Sequence, residues 1–433
     1  MTAVVAVTGA GVLCSIADSL DTFAHALRVG RSGIALRRRT DDGPALTGAD
    51  LPDFDFAAAV AAWDLPEHTR REALRAAGRA PLAVRAGLLA AVQGWVSAGL
   101  HRSAPDGDRV GLVVGGQNLS GAYSDRMRPR YASSPSHLPA RYGLHVLDTD
   151  HVGVLSRVLG IRGEGYTVGG ASASGNVAIA NGCRLITSGT VDVCVVVGAL
   201  ADLSDMEWQA FINMGAMAAP DRPGPAAGRA GPFDAGRAGF VPGQATACLV
   251  LEAADSAHLR GATALGQVLG HGSGLDGNSL ADPNAGGQAA AMGQALRRAG
   301  LEPAAVDYVN AHGTGSRVGD ETEVAALRAV FGPDVGRPWI NATKGLIGHT
   351  LWAAGVVEAV ATLVQMRDGF VHPNVNLARP VDDACRFVGA AAVPATIGVA
   401  LSNAFGFGGI NSSVVLAAPG RTAVAGVDRE ETV

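Results

Sequence analysis

The chain has 433 residues, is 48% hydrophobic and carries a formal net charge of -5. That length suits two or three domain-sized units. Nothing resembles a Lys/Arg footprint for nucleic acid, no apolar run approaches the roughly 20 residues that span a bilayer, and no basic segment precedes the opening apolar run as in a signal peptide. The five scattered cysteines (Cys14, Cys183, Cys194, Cys248, Cys385) form no CxxC pair. They read as small buried hydrophobes in a reducing compartment, not as a disulfide frame or zinc site. The expectation is a soluble cytoplasmic protein without bound metal.

Residues 3–8 form a β-branched run ending in Gly9-Ala10-Gly11, which predicts a buried strand and a tight turn, with a helix over 16–27. A dinucleotide-binding GxGxxG is not completed, because Cys14 stands at the third glycine position. Residues 39–60 read as a turn-rich surface excursion, 81–98 as a helix and 109–115 as a short buried strand. Residues 117–144 read as loop and short helices covering one face, and 147–159 as a helix. The run VDVCVVVG at 191–198 suits the middle of a covered parallel sheet. After a Pro/Gly-rich stretch at 218–243 and an apolar run at 245–252, the pattern restarts. Strands are predicted at 264–270, 306–310, 339–343, 398–402 and 413–416. Helices are predicted at 287–299, 322–330 and 353–365, and a frayed tail closes the chain. Strands alternating with helices mean α/β layers. Each half carries several strand–helix units, so a duplicated arrangement is expected, although no residue-level repeat is visible.

The stretch 166–179, YTVGGASASGNVAI, crowds small residues in front of an apolar helical run. Such residues permit a sharp turn and close backbone approach. A side chain at that turn lies near a helix N-terminus, where amide N–H groups converge. Ser172 is the candidate for the exposed position; a packing turn with capping serines is the plainer reading. Three Gly-rich loops follow predicted strands: 310–316 with His312, 341–349 with Lys344 and His349, and 403–411 with Phe405 and Phe407. Strand ends are where α/β sheets present ligands. A single loop histidine is more often structural, but two in such loops shift the balance toward a site. Neither sits in an HExxH frame. Asp320 and Glu323 read most simply as helix-start carboxylates.

Taken together, the motifs resemble the β-ketoacyl synthases of the thiolase-like fold over nearly the whole length. They are VVAVTGAGVL at the start, RSGI at 31–34, FDAGRAGFVPG from Phe233, HGTGSxxGDxxE from His312, TKxxxGH ending at His349, and NAFGFGGINS from Asn403. The resemblance implies duplicated αβαβα layered halves with two central mixed β-sheets. The halves would be 1–253, bearing Ser172, and 254–419, bearing His312, Lys344, His349 and the Gly-rich loop, with 420–433 a tail. It implies that His312 and His349 hold the carbonyl of a malonyl thioester and that Lys344 organises the site. Thr314 and Ser316 would contact phosphopantetheine, and Phe405 and Phe407 would line the substrate path, Phe407 as a gate. No bound cofactor is implied; the substrate would ride on the phosphopantetheine of an acyl carrier protein. A homodimer is expected.

The departure is Ser172, where the family has the cysteine that accepts an acyl chain. A thiol, with a reference pKa of roughly 8.5, ionises at a helix N-terminus. A hydroxyl does not, since the dipole is worth about 1–2 kcal/mol, and it would need an adjacent base. Gln244, where the family usually has Glu, and Trp352, where glycine is common, are smaller departures. The same Cys-to-Ser change marks stand-alone ketosynthase-like decarboxylases of polyketide β-branching, which work beside a 3-hydroxy-3-methylglutaryl (HMG) synthase-like enzyme. By that resemblance the chain converts malonyl- to acetyl-carrier protein. Three alternatives stay open: a chain-length-factor-like partner of a Cys-bearing synthase, a Ser-based acyltransferase or hydrolase, and a condensing enzyme that tolerates serine.

Overall fold

The computed structural model describes residues 4–38, 45–103, 105–218, 231–279 and 281–420. The expected tail from 421, and part of the 39–60 and 218–243 stretches, lie outside these residues. Ten strands build one large sheet: β1 (Val5–Cys14), β2 (Val110–Gly115), β3 (Gly165–Val168), β4 (Val193–Gly198), β5 (Ala245–Ala253), β6 (Gly266–Leu275), β7 (Tyr308–Asn310), β8 (Trp339–Asn341), β9 (Val399–Gly406) and β10 (Ile410–Ala417). Their order is β8-β7-β9-β10-β6-β1-β5-β4-β2-β3.

Read inward from either end, the pairing repeats. β3/β2 and β2/β4 are parallel, then β4/β5 and β5/β1 antiparallel. β8/β7 and β7/β9 are parallel, then β9/β10 and β10/β6 antiparallel. This is the duplication that residue-by-residue comparison did not reveal. The two expected sheets are these five-stranded halves. Antiparallel pairing of Val5–Val7 with Gly266–Val268 joins them edge to edge into a continuous sheet.

Five of the helices make the layers: α1 (Leu82–Ser97), α2 (Ser174–Thr187), α3 (Ala285–Ala299), α4 (Arg317–Phe331) and α5 (Ala354–Asp368). α2 and α5 each touch strands of both halves and form the middle layer; α1 covers β1 and β5 outside, and α3 covers β6 and β10. The middle helices are apolar nearly all round, as burial between two sheets requires: twelve residues of α5 are buried, from Ala354 to Gln365. At their N-termini they cross in direct contact. A Cβ on Gly175 would lie 2.6 Å from the Val356 backbone N, and one on Gly355 would lie 2.4 Å from Asn176 Oδ1.

The turn predicted at Gly9–Gly11 is not there, because β1 runs on to Cys14. Those glycines serve close approach instead. Cβ atoms on Gly9 and Gly11 would lie 2.3 and 2.2 Å from the carbonyl oxygens of Gly94 and Ala90 on α1. The predicted first helix starts later, at Leu20, where Ser19 and Thr22 form a capping box.

Candidate active site

Ser172 lies in a single 3-10 turn, Ala171–Ala173, between β3 and α2, and is buried. Ala171 takes φ 46°, a left-handed conformation that costs an L-residue about 1–2 kcal/mol. An equivalent turn, Leu351–Ala353, precedes α5, and Leu351 takes φ 50°. The two turns align residue for residue through Gly175 and Gly355, so Trp352 is the counterpart of Ser172. The shared Ala-x-Gly ending (Ala173 and Gly175, Ala353 and Gly355) was the available sign of this repeat in the sequence.

The second turn carries His349 to the first. His349 Nε2 lies 2.8 Å from Ser172 Oγ. The Leu351 backbone N–H donates to His349 Nδ1 at 3.3 Å. With Nδ1 an acceptor, the proton of the neutral ring sits on Nε2 and is donated to Ser172 Oγ. The ring of His312 meets that of His349 edge-on, centroids 5.6 Å apart, and Phe405 flanks His312 at 5.6 Å.

Removal from water, then the cationic Lys344 and then His349, hold His312 well below the ordinary imidazole value. Burial and Lys344 do the same to His349. Both rings are therefore neutral at pH 7, each with one N–H to donate. In protein carrying carbon-13-labelled histidine, the Cε1 shifts of His312 and His349 should hold their neutral-imidazole values from pH 8 down to 6. A midpoint near 6.5 for either ring would overturn this assignment.

A chamber of about 300 Å³ brings together Ser172, His312, His349, Thr314, Ser316, Phe405 and Phe407. Thr314 Oγ1 donates to Ser316 Oγ at 3.0 Å. Phe407 is 39% exposed and stacks on Phe211, centroids 6.5 Å apart. Lys344 does not line the chamber. It is buried behind the rings, with Nζ 2.5 Å from Glu358 Oε1 on α5. Burial pushes the Glu358 carboxyl up to about 7 against the pull of Lys344. A lone carboxylate inside an apolar helical run was the one trace of this pairing in the sequence.

Asp320 and Glu323 are more than helix-start charges. Glu323 accepts from the backbone N–H groups of His312 and Gly313, both at 2.8 Å, and from Asn403 Nδ2 at 3.2 Å. Asp320 accepts from Phe233 and Gly315 N–H at 2.7 and 3.1 Å. Buried at the start of α4, these carboxylates hold the histidine loop against β9. Gly406 completes the wall: a Cβ there would lie 2.3 Å from the Gly170 carbonyl oxygen. Gln244 bridges Leu51 N–H at 3.1 Å and Asp202 Oδ1 at 3.3 Å. Trp352 is buried in the apolar core.

Comparison with known proteins identifies the family. The models of the β-ketoacyl synthase N-terminal and C-terminal domains match residues 2–257 and 265–378. The chain is 37% identical over 412 residues to the polyketide biosynthesis malonyl-ACP decarboxylase PksF of Bacillus subtilis (strain 168), covering 95% of this chain and 96% of that one. It is 29% identical to 3-oxoacyl-[acyl-carrier-protein] synthase 2 of Coxiella burnetii, over 95% of this chain and 98% of the other. Among solved structures, the ishigamide ketosynthase/chain length factor superposes with a TM-score of 0.84 at 28% identity, covering 97% of this chain and 100% of that one. With both halves matched in order along the chain, this protein belongs to the β-ketoacyl synthase family.

Proposed function

We propose that the chain is a malonyl-acyl carrier protein decarboxylase, converting the malonyl thioester to acetyl-carrier protein. The neutral imidazoles of His312 and His349 would each donate an N–H to the thioester oxygen. The electron pair of the breaking bond to the carboxylate then moves onto an enolate that those donors stabilise. Carbon dioxide leaves, and solvent returns a proton to the methylene carbon. The observation that carries this reading is the direction of the hydrogen bond at 2.8 Å: His349 Nε2–H points at Ser172 Oγ. Among the described residues no base is positioned to take the serine proton, which counts against acyl transfer through Ser172 and against condensation. The partner-subunit reading gains only a likeness in overall fold. The decarboxylase reading also has a near-full-length relative named for that activity.

Lys344, Thr314, Ser316, Phe405 and Phe407 belong to the same proposal. Burial first and Lys344 second keep the imidazoles neutral, and the others border the path of the phosphopantetheine arm. The acetyl product would serve as two-carbon donor to an HMG synthase-like enzyme in polyketide β-branching, in the cytoplasm. Strand β3 ends the sheet with one edge unpaired among the described residues, which suits a homodimer joined there. Purified protein given malonyl-carrier protein should release carbon dioxide and leave acetyl-carrier protein by intact mass, and should sediment as a dimer. An acyl group found on Ser172, with no acetyl-carrier protein formed, would replace this reading with acyl transfer.

A further inference from the structure

One polar side chain on the chamber wall has no part in the chemistry above. Gln288, in the first turn of α3, is 2% exposed and is one of the residues that border the chamber. Its Oε1 is buried without a hydrogen-bond partner among the described residues. An acceptor left unmet in this way costs about 1–3 kcal/mol, a penalty that an apolar side chain of similar volume would not carry. Other polar groups nearby are engaged: Asn411 Nδ2 donates to Asp276 Oδ1 at 2.7 Å, and Thr314 to Ser316 at 3.0 Å. Met292, one turn along α3, accepts from Asn403 Nδ2 at 3.3 Å, and Asn403 also donates to Glu323 beneath His312. The helix face bearing Gln288 is therefore turned toward the histidine loop.

An unmet acceptor calls for a donor. The thioester oxygen and the malonyl carboxylate offer only acceptors at neutral pH, whereas a phosphopantetheine arm offers amide N–H groups along its length. We propose that Gln288 Oε1 accepts a hydrogen bond from an amide N–H of that arm, which makes Gln288 a specificity residue for pantetheine-borne thioesters. The inference rests on the reading that the substrate arrives on such an arm. It adds a contact to those expected from Thr314 and Ser316.

The test uses the full chain, wild type and Gln288→Met, with malonyl-pantetheine and with malonyl ethyl thioester, which lacks amides. The preference for the pantetheine ester, as a ratio of kcat/KM values, should fall about 5- to 15-fold in the variant, with the loss in KM. Calorimetry with inert acetyl-pantetheine should show Kd rising by a similar factor. Equal losses on both esters, or an unchanged ratio with an unchanged Kd, would overturn the proposal; the second result would mean that enclosed water meets the acceptor. Wild-type protein that leaves malonyl-carrier protein intact, while the variant still weakens acetyl-pantetheine binding, would refute the decarboxylase reading and uphold the arm contact. Should Gln288→Met lose its thermal transition, Gln288→Leu takes its place.

Discussion

Replacing His349 with alanine should lower kcat for malonyl decarboxylation about 100- to 1000-fold, the usual effect of deleting one donor to a developing oxyanion. The loss should fall on kcat more than on KM, because the thioester oxygen gains most of its charge after the substrate has bound. His312→Ala should cost a similar factor. The double variant should lose less than the product of the two, because both rings act on one oxygen. The fold should survive His349→Ala, since the ring anchors no strand; an unchanged thermal transition would separate loss of chemistry from loss of structure. Acetyl-carrier protein formed by His349→Ala at the wild-type rate would end the enolate role for this ring.

Ser172→Cys should convert an inert position into one that accepts acyl groups. The sulfur would replace an oxygen held at the start of α2, facing the N–H of His349. A helix N-terminus and a nearby donor both lower a thiol pKa, and the same surroundings leave a hydroxyl un-ionised. The variant should take a single label per chain from a thiol-directed ketosynthase inhibitor, read by intact mass, whereas wild type stays unlabelled. Background should be low because the native cysteines are all buried. Burial pushes the thiols of Cys14, Cys183 and Cys385 up to about 12, and those of Cys194 and Cys248 higher still. No labelling of Ser172→Cys would mean that Ser172 does not occupy the nucleophile position.

Much of the site was legible because it is written in contiguous loops. His312, Thr314, Ser316, His349, Phe405 and Phe407 each sit in a Gly-rich segment at or soon after the end of a strand, and the structure brings all six to one chamber with Ser172. What stayed hidden depends on pairing across the fold. Glu358 lies 14 residues beyond Lys344, and no local pattern says that the two meet. Glu323 looked like helix-start chemistry because its spacing from His312 does not show that its carboxylate folds back on that loop. Gly9 and Gly11 suggest a turn because glycine permits either a bend or a close neighbour, and only α1 decides which. The duplication was obscured because the halves share a pairing scheme and one short turn, but few side chains.

The contact between Gly175 and Gly355 has a consequence for how such a protein can change. With the two middle helices pressed together at their starts, the turns that precede them, and with these Ser172 and His349, are held side by side. Exchanging sulfur for oxygen at residue 172 thus alters reactivity and leaves the neighbouring imidazoles where they were. Reactivity at residue 172 and the geometry around it can therefore vary independently.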